Sequence, residues 1–113
     1  MNIQIFAKNK CFDSKKAQRW FKERGIKFQL VDLSSKGMSK GEIDSVVRAV
    51  GSLETIIDYN AKSNDAMLLK YLGSEQAKLE KLMDNPSLIK SPIVRNGKQA
   101  TVGYCPEVWE GWE

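Results

Sequence analysis

The sequence contains no histidine. That absence excludes Ser-His-Asp and Cys-His nucleophile pairs within the chain, and imidazole-based metal sites with them. Cysteine is scarce: Cys11 and Cys105 are the only two. Two thiols are too few for a disulfide-built secreted scaffold, and their separation in sequence disfavours a structural zinc site. No apolar run approaches the roughly eighteen residues of a membrane-spanning helix. The first residues alternate polar and apolar and lack the apolar stretch of a secretory leader. These absences predict a cytoplasmic protein with reduced thiols, no membrane contact, no metal site and no bound cofactor. The basic residues form no single long run and no nucleic-acid motif is present, so direct nucleic-acid binding is not expected. Any chemistry must run on thiol, carboxylate, lysine or backbone groups.

What is present fits one domain, 1–113, and a monomer is expected. The chain has 113 residues, is 42% hydrophobic and carries a net charge of +4. That balance suits a small anionic substrate, a thiol substrate or an acidic protein surface, and it equally suits a plain solvated surface rich in lysine.

Residues 2–6 alternate as a strand. Residues 12–24 follow a helical period, with Ala17, Trp20 and Phe21 on one face and Gly25 as the stop. Lys27 to Asp32 reads as a second strand, marked by Phe28, Leu30 and Leu33. Strand, helix and strand within about thirty residues make a βαβ unit with parallel strands. A helical insert follows, at about 39–84. Ser39 and Glu42 form a capping box ahead of Ile43, Val46, Val47 and Val50, closed by Gly51. Ser52 caps a short helix through Ile57. Asn64 or Asp65 caps another, carrying Met67, Leu68, Leu69 and Leu72 to Gly73. Ser74 caps a third, carrying Ala77, Leu79, Leu82 and Met83 to Asn85-Pro86. The period then changes. Ile93–Arg95 and Gln99–Tyr104 flank Asn96-Gly97, a hairpin signal in which both turn residues suit positive φ. Pro106-Glu107 opens a last helix with Val108, Trp109 and Trp112. The three tryptophans are expected to pack inside, with Trp112 the most exposed.

Cys11 is the sharpest candidate. It sits where the first strand passes into the first helix, at the positive end of the helix dipole, where a thiolate is favoured over a thiol. Lys8, Lys10, Lys15 and Lys16 push the same way and Asp13 pushes back. The alternative is a buried, unreactive cysteine. The lysines form either an anion site or ordinary surface charge. Asp13, Glu107 and Glu110 show no paired spacing for acid–base work and read as helix N-terminal charges or solvated faces.

The string Cys11-Phe12-Asp13-Ser14-Lys15-Lys16-Ala17 with Trp20, then Asn85-Pro86-Ser87-Leu88-Ile89-Lys90, Pro92-Ile93-Val94, Asn96-Gly97-Lys98, and Val102-Gly103-Tyr104 with Pro106-Glu107-Val108-Trp109, resembles the glutaredoxin-coupled arsenate reductase family. That family also holds the Spx-type transcriptional regulators. The resemblance spans nearly the whole chain. It implies an α/β thioredoxin-like fold, βαβ then insert then ββα, with a four-stranded mixed sheet. It implies Cys11 as catalytic nucleophile, Ser14 as a hydroxyl partner of the thiolate, and Pro92 as a cis-proline facing Cys11 beside Ser91. Lys8, Lys10 and Lys15 would stabilise an anion or the thiolate. Cys105 matches a position that faces the site in some members and is a candidate resolving thiol, or else an incidental loop cysteine. Glutathione or a glutaredoxin would be the reductant.

The sequence departs from that family at informative places. Ser91 stands where arsenate reductases typically carry arginine, the Asp58–Asn60 region has none, with Lys62 the nearest cation, and Cys105 stands at the third such position. Arginine forks are the natural grip for an oxyanion, so a thiol–disulfide oxidoreductase is expected here and arsenate is not expected as an efficient substrate. Ser14 also replaces the second cysteine of a Cys-x-x-Cys switch. The competing expectation is a regulator or adaptor without turnover, docking on RNA polymerase through the first helix and the Gly51 region.

Overall fold

The computed structural model describes residues 2–61 and 64–112. Ile3–Ala7 forms β1, Phe12–Glu23 forms α1 and Phe28–Asp32 forms β2. Then come α2 (Lys40–Val50), a 3-10 turn at Leu53–Ile56, α3 (Asn64–Leu69), α4 (Glu75–Asp84) and a second 3-10 turn at Pro86–Leu88. The chain closes with β3 (Ile93–Asn96), β4 (Gln99–Val102) and α5 (Pro106–Trp109). The four strands form one sheet in the order β2-β1-β3-β4. β1 and β2 run parallel, while β3 is antiparallel to both β1 and β4. This is the thioredoxin-like arrangement, a mixed sheet in which the inner strand β1 leads through a short loop carrying Cys11 into α1.

Period-two alternation sends β1 side chains to two cores. Ile3, Ile5 and Ala7 join Ala17, Trp20 and Phe21 of α1 and Trp109 of α5. Phe6 faces the opposite core with Ile43 and Val46 of α2, Leu69 of α3 and Leu82 of α4. In the first core the indole of Trp109 lies 5.0 Å from Phe21 and 5.4 Å from Trp20, ring centre to ring centre. Its Nε1 donates to Thr101 Oγ1 at 2.8 Å, which satisfies a buried donor. Trp112 is buried as well, so all three tryptophans pack inside as expected, but Trp112 is no more exposed than Trp20. The last turn folds back because Trp112 N–H donates to the Trp109 carbonyl, and this carries the indole into the core of α1.

The capping box at Ser39 forms as expected, with Ser39 Oγ accepting from Glu42 N–H and Glu42 Oε1 accepting from Ser39 N–H. Three local expectations shift. The hairpin loop is Gly97-Lys98, because Asn96 pairs with Gln99. Gly97 alone takes positive φ, 59°, the arrangement of a II′-type turn. α3 ends at Leu69, and its Met67 and Leu68 face solvent while Ala66 and Leu69 are buried. Leu30 is exposed on the edge strand β2, where Val31 is buried and Phe28 packs half-buried against the α1 core. Among the described residues no helix is long and apolar enough to cross a membrane.

Candidate functional site

Cys11 is the N-cap of α1, with extended backbone (φ −87°, ψ 117°). Two bonds hold it there: its N–H donates to the Lys8 carbonyl at 3.2 Å, and its carbonyl accepts from Lys15 N–H at 3.3 Å. An N-cap side chain sits beside the unpaired amides of the first turn. The Cys-x-x-Ser spacing puts Ser14 in that same turn, where it is fully buried. Ser14 Oγ accepts from the Lys8 N–H at 3.4 Å, which leaves its own proton for the neighbouring sulfur. The thiol itself donates to the Ser91 carbonyl at 3.5 Å. The Ser91-Pro92 peptide bond is cis, Pro92 is buried, and its carbonyl accepts from Gly103 N–H at 2.8 Å.

Partial burial pushes the Cys11 thiol up, but hydrogen bonds favour the ionised sulfur and prevail. They come from the side chains of Ser14 and Ser91 and from the amides of Ser14 and Asp13, and the pKa falls below the ordinary thiol value. An amphoteric cap of this kind is poised: the neutral thiol is held by a carbonyl, the thiolate by hydroxyls and amides.

The sulfur lines an open cleft of about 550 Å³. Lys8, Lys10, Asp13, Asp58 and Lys90 bring charge to the same cleft, and Val102 and Gly103 close one side. Asp58 arrives through an antiparallel bridge between Ile57 and Ile89. Asp58 N–H donates to the Leu88 carbonyl and Lys90 N–H to the Ile56 carbonyl, both at 2.7 Å. The insert is thereby stitched to the segment that enters β3, and a carboxylate from one and an ammonium from the other reach the cleft. Lys8 extends its Nζ to the Ser87 carbonyl at 2.8 Å. Burial lowers the Lys8 pKa, while the charges of Asp58 and Cys11 pull it back up.

The structure therefore gathers Cys11, Ser14, Ser91, Lys8 and Lys10, with Pro92 directly behind Ser91. It leaves two candidates out. Lys15 is exposed on α1 and is not among the residues lining the cleft, because its position in the first turn turns the side chain away from Cys11. Cys105 is the N-cap of α5, its thiol donating to the Val102 carbonyl at 3.4 Å, and it is not a lining residue either. Burial, then the charge of Glu107, raise its pKa, with a Thr101 side-chain contact opposing. The two thiols are thus driven in opposite directions. Glu107 and Glu110 are exposed.

Asp58 and Lys90 escaped the sequence reading. Lys90 adjoins Ser91-Pro92, and that adjacency was a usable signal. Asp58 had none, since its place depends on a long-range bridge. No arginine is found among the described residues lining the cleft. Arg95 instead donates from Nη1 to Gln4 Oε1 at 3.0 Å, with its Nε buried and unpartnered. Lys62 lies outside the described residues.

Known proteins agree with this architecture. The chain is 28% identical over 109 residues to the global transcriptional regulator Spx 2 of Oceanobacillus iheyensis, covering 92% of this chain and 78% of that one. In three dimensions it is similar to a putative ArsC family related protein from Bacteroides fragilis, with a TM-score of 0.86 at 20% identity, covering 100% of this chain and 98% of the other. It is likewise similar to an arsenate reductase from Vibrio cholerae, with a TM-score of 0.82 at 23% identity and coverage of 96% and 94%. Residues 6–112 match the profile of the ArsC family, and the chain belongs to that family.

Proposed function

We propose that this protein is a cytoplasmic thiol–disulfide oxidoreductase in which Cys11 acts as a single nucleophilic thiol. The carrying observation is the Cys11 sulfur itself, exposed to an open cleft at the N-terminus of α1 with hydrogen-bond donors that favour its ionised form. The thiolate attacks one sulfur of a disulfide. A bond forms between Cys11 Sγ and that sulfur, the old S–S bond breaks, and the departing sulfur leaves as a thiolate that takes a proton from water. Ser14 keeps the attacking sulfur ionised and in place. With Ser14 where a dithiol enzyme has its second cysteine, the mixed disulfide is released by an external thiol such as glutathione or a glutaredoxin. The cleft offers lysine ammonium groups and no arginine fork to an oxyanion, and carboxylates stand among them. Efficient arsenate reduction is not part of this reading.

The test is the rate of Cys11 alkylation against pH in Cys105→Ser protein. A midpoint near or below about pH 7 supports an activated thiolate, and a midpoint above about pH 8 removes the basis of the enzyme reading. The second reading is favoured by the Spx 2 relative: a regulator that docks on RNA polymerase without turnover. It predicts that Cys11→Ser retains the partner, which a pull-down with purified polymerase decides.

A further inference from the structure

The cleft beside Cys11 carries both signs of charge, with Lys8, Lys10 and Lys90 lining it together with Asp13 and Asp58. Lys90 and Asp58 reach it from the two paired segments of the Ile57–Ile89 bridge, and Lys8 interacts electrostatically with both Asp58 and Cys11. Lys8 already gives a hydrogen bond to the Ser87 carbonyl, whereas Lys90 is exposed. Asp58 is half-buried, with Oδ1 accepting from Asn60 N–H at 3.0 Å. A ligand of one sign meets groups that repel it as well as groups that attract it. A ligand bearing both signs can meet an attractive group with each, and such complementarity sets specificity more than raw affinity. A cleft of about 550 Å³ has the size of a small-molecule site.

Building on Cys11 as the attacking thiol, we propose that the cleft selects a low-molecular-weight disulfide of amino-acid type, in which the half retained on Cys11 carries an ammonium and a carboxylate. Asp58 receives the ammonium and Lys90 the carboxylate. The exchange balances as above: Cys11 is oxidised to the mixed disulfide, and the departing half is reduced to a free thiol.

The experiment uses full-length Cys105→Ser protein and four disulfides: L-cystine with both charges, cystamine with two positive charges, dithiodipropionate with two negative charges, and neutral hydroxyethyl disulfide. Mixed-disulfide formation is followed by intact mass. Each rate is divided by that of the neutral disulfide on the same variant, which cancels changes in Cys11 nucleophilicity. Comparing variants then cancels the leaving group. Asp58→Asn, which keeps the acceptor for Asn60, lowers the relative rate for cystine and cystamine by about threefold and raises it for dithiodipropionate. Lys90→Gln lowers cystine and dithiodipropionate together, and added salt shrinks all these differences. Relative rates that stay the same in both variants overturn the charge selection while a low alkylation midpoint leaves the oxidoreductase reading standing. A high midpoint, with no disulfide reacting, overturns both.

Discussion

Asp58 and Leu88 are joined backbone to backbone, the Asp58 N–H donating to the Leu88 carbonyl at 2.7 Å. The bond lies in the bridge that also pairs Ile57 with Ile89, and both isoleucines are almost wholly buried. The insert is therefore no loose appendage: it forms a wall of the cleft that holds Cys11. Ile57→Ala leaves a cavity at this junction and costs about 2–4 kcal/mol, read from urea denaturation midpoints. Because the same bridge carries Asp58, the variant is also expected to expose Cys11 further, seen as faster alkylation at a fixed thiolate fraction.

Ser14 and Lys10 test what sets the ionisation of Cys11. Ser14 is buried and favours the thiolate directly, whereas Lys10 is exposed and screened by water. Ser14→Ala moves the alkylation midpoint upward, and Lys10→Gln moves it less. An equal or larger shift from Lys10→Gln would show that charge, rather than hydrogen bonding, activates the sulfur.

The opposite shifts of the two thiols give stability a signed pH dependence. The Cys11 pKa is lowered on folding, so its contribution is present above the unfolded thiol pKa and fades as pH falls through the folded value. The Cys105 pKa is raised, so its contribution is present below the unfolded value and is lost as pH rises through the folded one. Over a pH range centred on the ordinary thiol value of about 8.5, the wild type gains stability relative to Cys11→Ser as pH rises toward that value, and loses it relative to Cys105→Ser as pH rises beyond it. Urea midpoints across that range check both signs.

Thr101 is the partner of the buried Trp109 Nε1–H. Thr101→Val keeps the shape and removes the acceptor, and it costs about 1–3 kcal/mol because the indole donor is left buried and unpaired. Trp109→Phe in the Thr101→Val background removes the unpaired donor but leaves space beside Phe21 and Trp20, so wild-type stability is not restored. A double-mutant cycle separates the hydrogen bond from the packing.

The sequence by itself determined most of the elements and the place of the candidate thiol. The spacing of Ala17, Trp20 and Phe21 specifies one apolar helix face, Ser39 and Glu42 specify a cap, and the position of Cys11 before α1 specifies a thiol at a helix N-terminus. These are local facts, set by periodicity and by hydrogen bonds between residues a few positions apart. Resemblance supplied the pairing of Cys11 with Ser91 and Pro92, since no local rule joins residues 80 positions apart. Tertiary structure decided the rest. Trp112 is inside because α5 packs on α1, and Leu30 is outside on the edge strand β2. Lys15 and Lys8 are both lysines close to Cys11 in sequence, yet only Lys8 lines the cleft, because it lies in the loop leaving β1 whereas Lys15 is exposed on α1. Asp58 and Lys90 enter the site through one pair of backbone bonds between distant segments. The charge that lines the cleft is thus a property of the folded chain, because it depends on which distant segments the backbone brings together.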